Sequence, residues 1–379
     1  RKILKREKFL HLSRSSYLFS KIGILVALSA IQTLMFVLVG NYILEIRGML
    51  FHHWFILFAT SCFANMLGLN ISSAFNSAVT IYILIPLLLI PQLILSGVVV
   101  KFDKLNPRIG NVETVPLVGD LMASRWAFEA AMVTQFKENR YEREFFLYDK
   151  IMAESDFKKI YLIPEIQTKL QFALVNYRNP DPEIQKRVAK NLEVIRNEIG
   201  KELKTLRKQE LLPLADFVPS HFDSSLYTKT SEFLTQLNNF YIRRYNAADK
   251  KKEEKVAALT DTKEKRAQFE VFRQQYHNES VAELVKNIGE TNRIIEKDGK
   301  LIQKIFPVYK NPEPENLVDF NAQFYMPAKH FLNADLDTFY FNVAVIWLMS
   351  FLLAVTLYYD VLRKILKIPG DLAHRFEKK

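Results

Sequence analysis

Only one cysteine, Cys62, occurs among the 379 residues, and it lies inside a hydrophobic run. A single cysteine excludes an intrachain disulfide and a cysteine-based metal site. The seven histidines include no pair at i and i+4, so the helical pattern that holds a catalytic metal is absent and no metal site is expected. Eleven thinly spread glycines form no phosphate-cradling GxxxxGK[ST] loop, and no GxSxG elbow, HExxH helix or CxxC pair occurs. No Asp, Glu, Lys or Arg stands deep in any long apolar run, which argues against a proton- or ion-coupled pump. These absences leave no catalytic chemistry and no cofactor in this segment. They leave a permease, a sensor or a scaffold, driven or read out by another segment or another chain.

A net charge of +11 raises the question of nucleic acid, and its distribution answers it. Residues 1–21 carry seven Lys/Arg against one Glu, and residues 360–379 carry six against three acids. Residues 101–337 are nearly balanced, at thirty-eight against thirty-six. The excess flanks hydrophobic spans, where it reports membrane orientation, and no basic stripe for nucleic acid exists.

A bilayer core about 30 Å thick needs roughly 20 apolar helical residues. Four stretches qualify, at about 22–44, 54–73, 79–100 and 339–358, with Tyr17, Tyr42, Trp54, Tyr340, Tyr358 and Tyr359 near their ends as interfacial anchors. The sequence therefore predicts an all-α membrane protein: four transmembrane helices with a large helical extracytoplasmic insert before the last span. Its expected parts are a cytoplasmic segment 1–21, three helices within 22–100, an extracytoplasmic mainly helical domain 101–337, a last span 338–359 and a basic cytoplasmic tail 360–379. The greater count of basic residues at the two ends places both termini in the cytoplasm by the positive-inside rule. An extracytoplasmic domain without cysteine fits a bacterial inner-membrane protein.

Within the spans, Ser61, Asn65, Gly68 and Ser72 share one face of the second; Ser29, Gln32 and Thr33 share a face of the first; Gln92 and Ser96 share a face of the third. Small and polar residues at helical spacing serve helix packing, or else line a path for an amphipathic substrate. Pro86 and Pro91 interrupt the third span, as a packing kink or as a hinge. In the insert, Asp181-Pro182 reads as a helix start, followed by Val188, Leu192, Ile195, Ile199, Leu203 and Leu206 on one stripe up to Pro213. A second stripe runs through Phe233, Leu234, Leu237, Phe240, Tyr241 and Tyr245.

Four strings together resemble the permease half of White-type, or G-subfamily, ABC transporters. RKILKREKFLHLSRSSYLFSKI looks like the cytoplasmic segment before that family's third span, with Glu7, Ser15, Ser16, Tyr17 and Lys21 in matching places. LIPQLILSGVVVKFDKLNP resembles the fifth span and its exit, VPLVGDLMASRWAFEAAM the membrane-proximal stretch after it, and FNVAVIWLMSFLLAVTLYYDVLRKIL the sixth span and basic tail. The resemblance implies that the four spans are the family's third to sixth, that the chain is a piece of a longer polypeptide, and that the first two spans and the ATPase domain, with its ATP and Mg, lie outside it. It further implies that residues 1–14 contain the helix coupling to the ATPase, with Glu7, Lys8 and Arg14 as its charged contacts; a lipid-facing basic anchor is the other reading of that segment. Its implied partners are an ATP-binding domain, a second permease half in a homodimer and the lipid bilayer. Its implied activity is export of lipophilic or amphipathic molecules by alternating access. The alternative from a different class is a membrane sensor whose helical insert detects an extracytoplasmic signal. The long, cysteine-free insert departs from animal members of the family, so its role does not carry over.

Overall fold

The computed structural model describes residues 13–75, 77–105, 114–207, 211–314, 316–317 and 319–366. In chain order the helices are α1 (Arg14–Ile43), α2 (Leu50–Ala74), α3 (Ala78–Ile94), α4 (Leu117–Asp120), α5 (Ala123–Lys137), α6 (Arg140–Phe157), α7 (Ile163–Asn176), α8 (Pro182–Leu206), α9 (Ser224–Leu259), α10 (Lys263–Tyr276) and α11 (Glu279–Lys286). Strands β1 (Ile294–Lys297), β2 (Lys300–Gln303), β3 (Ala328–Phe331) and β4 (Ala334–Asp337) precede α12 (Thr338–Tyr358). The chain forms two compact units, one of residues Arg1–Asn139 and Pro312–Lys379, the other of Arg140–Asn311. The membrane unit thus includes residues on both flanks of the 101–337 segment, among them α4, α5, β3 and β4.

In the membrane unit α1, α2 and α12 are long and apolar enough to cross a bilayer. Helix α3, where the third span is expected over 79–100, is apolar but has 17 residues. At about 1.5 Å per residue it reaches roughly 25 Å, and the chain continues as turns up to residue 100. It runs unbroken through both prolines although the carbonyls of Tyr82 and Leu87, four residues before them, have no N–H to accept. Helix α1 starts where Ser13 Oγ accepts a hydrogen bond from Ser16 N at 3.1 Å, and α12 starts where Asp337 Oδ1 accepts from Phe339 N at 2.8 Å. The core of this unit interleaves Ile56, Ala59 and Phe63 of α2 with Ala123, Trp126 and Ala130 of α5 and Phe339, Val343 and Ile346 of α12. Asn70 fastens α2 to α12: its Nδ2 donates to Leu353 O at 2.8 Å and its Oδ1 accepts from Thr356 Oγ1 at 3.0 Å.

The second unit is built on α7, α8 and α9. The predicted stripe of α8 is its core: Val188, Leu192, Ile195, Ile199 and Leu203 are fully buried against Leu170, Leu234, Leu237 and Tyr241. Asp181 Oδ1 accepts from Glu183 N at 2.9 Å and Pro182 takes the first turn, as the Asp-Pro pair implies. The helix ends at Leu206, short of Pro213, because Arg207 adopts a left-handed conformation (φ 55°) that returns its N–H to the preceding turn. Helix α6 passes through a π-helical turn, Lys158–Leu162, into α7.

Two antiparallel hairpins, β1–β2 and β3–β4, are additions to an otherwise helical molecule. Each closes on a two-residue turn with both residues left-handed, Asp298-Gly299 in the first and Leu332-Asn333 in the second, which matches the natural twist of a hairpin. The Asp-Gly pair is a turn signal readable in the sequence; the Leu-Asn pair is not.

Glu296 on β1 binds Lys169 of α7 and, at 2.7 Å, Lys190 of α8. Burial pushes its pKa up, but these two lysines outweigh burial and hold it below the usual 4.5. A carboxylate held low stabilises the fold above its unfolded pKa, and that contribution disappears as pH falls through the folded value. Limited proteolysis of this unit between about pH 6 and about pH 3 is therefore expected to show a Glu296→Gln variant less stable than wild type at the upper end, with the difference closing at the lower end. A constant difference across that range would show that the two ion pairs contribute nothing.

Candidate functional site

The residues expected in the spans divide into separate local arrangements. Ser61 and Asn65 converge on one hydroxyl: Ser61 Oγ donates to Ser29 Oγ at 2.9 Å and Asn65 Nδ2 to the same atom at 2.7 Å. Thr33 Oγ1 donates to the Ser29 carbonyl at 2.6 Å, one turn back in its own helix, while Gln32 is exposed. Trp54 Nε1 adds a bond from α2 to Ala30 O at 3.1 Å. Gln92 binds α5 instead, its Oε1 accepting from Ser124 N at 3.2 Å and its carbonyl from Ser124 Oγ at 2.5 Å. Ser96 Oγ donates to Leu93 O at 2.7 Å and accepts from Val98 N at 3.2 Å, closing the turn after α3. Pro86 and Pro91 lie inside α3, none of whose residues is buried. Arg14 is the first residue of α1; Glu7 and Lys8 lie outside the described residues.

A feature not singled out from the sequence is a buried charge cluster beside the spans. Helix α5 presents Arg125 and Glu129 four residues apart on one face, with Arg125 Nη1 3.4 Å from Glu129 Oε2. Glu129 Oε1 accepts from Lys329 Nζ of β3 at 2.7 Å and from Tyr325 N at 3.1 Å. Its Oε2 accepts from Asn342 Nδ2 of α12 at 3.0 Å, and the same amide donates to Trp126 O at 3.1 Å. Arg125 also pairs with Asp120 of α4 at 3.1 Å and lies 3.6 Å from the Trp126 ring centroid. Glu129, Lys329 and Asn342 are fully buried.

Two carboxylates and two cations make the cluster neutral, which is how four charges tolerate such burial. Burial pushes the Glu129 carboxyl up, yet Lys329 and Arg125 more than compensate and hold it below its ordinary value, as an anion. Burial lowers the Lys329 pKa, and Glu129 only partly restores it. Among the described residues no group of three or more His, Cys, Asp or Glu stands close enough to hold a metal ion. What it does is mechanical: one carboxylate joins α5, the Tyr325 turn, β3 and α12. The Arg125–Glu129 half was legible as an i, i+4 pair; the Lys329 half, 200 residues away, was not.

Residues 1–136 match the family model described as ABC-2 type transporter. The match supports a transmembrane permease of an ABC transporter. Such a permease is a transport component rather than a catalytic domain, and the family implies association with an ABC ATPase component. No curated protein and no solved structure was found to match the chain. The ABC-2 stretch runs from before α1 to within one residue of the end of α5. It therefore contains three of the four expected spans together with Arg125 and Glu129, while Lys329 and Asn342 come from outside it.

Proposed function

We propose that the chain is the permease part of a White-type, G-subfamily ABC exporter of a lipophilic or amphipathic substrate, working as a homodimer by alternating access. The observation that carries this reading is the ABC-2 match, whose extent coincides with α1, α2, α3 and the α5 segment packed beside them. Physical features agree with it. Helices α1 and α3 leave broad apolar faces exposed, including Ile24, Leu28, Ile31, Leu87, Ile90 and Leu93, and such faces suit lipid and a second copy of the chain. No Asp, Glu, Lys or Arg stands deep in the spans, which suits a path for an amphipathic molecule. Ser61 and Asn65 act in helix packing in this reading, and Gln32, exposed on α1, is the polar group left for substrate. Pro86 and Pro91 form the hinge, because a helix missing two ladder bonds bends more readily than an intact one.

Energy enters through residues 1–14, where Glu7, Lys8 and Arg14 contact the ATPase on the cytoplasmic side, with the second unit outside. The test is reconstitution of the permease with its ATPase component in liposomes containing a lipophilic fluorescent substrate. ATP-dependent movement is expected for wild type, and Glu7→Lys is expected to abolish substrate-stimulated hydrolysis while expression stays normal. No ATP-dependent movement by wild type would refute the exporter. Unaltered stimulation in Glu7→Lys would assign residues 1–14 to a membrane anchor.

A further inference from the structure

The two hairpins differ at their tips. The first closes on Asp298-Gly299, a pair suited to a left-handed turn in water. The second closes on Leu332-Asn333, where Leu332 holds a φ of 49° and is 66% exposed. A bulky apolar residue is disfavoured twice in that place, by the left-handed backbone and by contact with water. An outlier of this kind points to a role for the side chain that holds it. Leu317, whose carbonyl accepts from Leu332 N at 2.9 Å, is 65% exposed, and Leu336 of β4 is exposed as well.

The hairpin is built onto the first turn of a span. Ala328 pairs with Asp337, the residue before α12. Thr338, the first residue of α12, donates its N–H to Pro327 O at 3.1 Å and its hydroxyl to Met326 O at 2.5 Å. Four strand residues at about 3.3 Å each carry the tip no more than roughly 13 Å from that point. Phe331, the last residue of β3, meets Phe341 in the first turn of α12 edge to face at 6.0 Å, so the tip end lies beside that turn. Tyr340 is exposed in the same turn, an aromatic residue of the kind that sits at headgroup level. Opposed residues of the hairpin share a face. One face carries Lys329, bound to Glu129, and Leu336; on the other His330 Nδ1 and Asp335 Oδ1 hydrogen-bond to each other at 2.8 Å.

We propose that the β3–β4 hairpin is a lipid-binding element, with Leu332 and Leu317 inserted between the acyl chains of the leaflet in which α12 begins. Lipid is the occupant because the base of the hairpin is fixed where that helix enters the bilayer, and the headgroup layer there is only about 5–8 Å thick. Burial of Leu332 in lipid offsets its backbone strain and holds β3, with Lys329, at the membrane surface. The proposal rests on α12 as a span and is independent of what the permease carries and in which direction.

The test uses the full protein in a Cys62→Ser background, reconstituted in phosphatidylcholine vesicles that contain lipid with a nitroxide at a shallow or a deep acyl position. An environment-sensitive fluorophore is attached at Leu332→Cys, at Leu348→Cys in the middle of α12, and at Lys251→Cys on α9 as the water-exposed reference. Shallow nitroxide is expected to quench Leu332→Cys about threefold and deep nitroxide Leu348→Cys, with Lys251→Cys unchanged by either. Lipid quenching at Leu332→Cys no greater than at Lys251→Cys, with Leu348→Cys quenched, overturns the insertion and leaves the span intact. No lipid quenching at Leu348→Cys overturns the span and the role of the hairpin with it. Leu332→Asn carries the test should the labelled variant fail to fold, because asparagine suits a left-handed turn in water better than leucine. A thermal midpoint in the vesicles below that of wild type supports insertion, and an equal or higher one overturns it.

Discussion

Replacing Glu129 by alanine is expected to destabilise the membrane unit by about 3–5 kcal/mol, the cost of removing one partner from a buried ion pair. The size follows from what is left behind. Lys329 would keep its burial and lose its acceptor, Tyr325 N would lose its partner, Asn342 would keep only its bond to Trp126 O, and Arg125 would retain Asp120 and the Trp126 ring. An uncompensated buried ammonium is far more costly than the pair is valuable. Charge neutrality predicts the rescue: a Glu129→Leu, Lys329→Met double variant removes both ions together, and it should recover a large part of the loss. Thermal unfolding in detergent, followed by the fluorescence of the three tryptophans, all in this unit, measures both, and a drop of about 10 °C is expected for the single variant. A Glu129→Ala protein that melts with wild type, or a double variant no better than the single, would refute the clamp. The carboxyl is held below 4.5, so its contribution is complete above that pH and is lost only as pH falls through its lowered folded value.

Substituting Pro86 and Pro91 together by alanine is expected to preserve the fold and slow transport about tenfold, which corresponds to about 1.4 kcal/mol in the barrier. Alanine restores the N–H that each proline lacks and removes the ring that crowds the preceding turn, so the Tyr82 and Leu87 carbonyls regain partners within the helix. No residue of α3 is buried, so neither replacement opens a cavity. On the hinge proposed above, the effect falls on the flexibility of the helix. The measurement is the initial rate of ATP-driven substrate movement by the reconstituted double variant, with its thermal midpoint as the control for folding. A normal rate with an unchanged midpoint would reduce the prolines to packing features.

Much of this molecule was legible because its signals are local. Spans show themselves by summed hydropathy over consecutive residues, and α1, α2 and α12 lie close to where the sequence puts them. The α8 stripe was equally plain, since residues three and four apart share a helix face whatever that face packs against. The shorter α3 was less so, because apolar composition continues past Ile94 while the helix gives way to turns that bring Gly97 under Phe324. The β-strands, four residues each, are too short for an alternation of hydrophobicity to stand out.

By itself the sequence determined that this is a mainly helical membrane chain, and which helical faces are apolar. It did so because hydrophobicity and helical period are properties of neighbouring residues. The tertiary structure alone decided that Glu129 and Lys329 share one buried site, that α4, α5, β3 and β4 belong with the spans, and that a phenylalanine far along the chain rests on Gly97. Pairing across 200 residues leaves no mark in local composition. A buried glutamate and a buried lysine look, residue by residue, like any solvated pair, and only folding shows which charges have left the water.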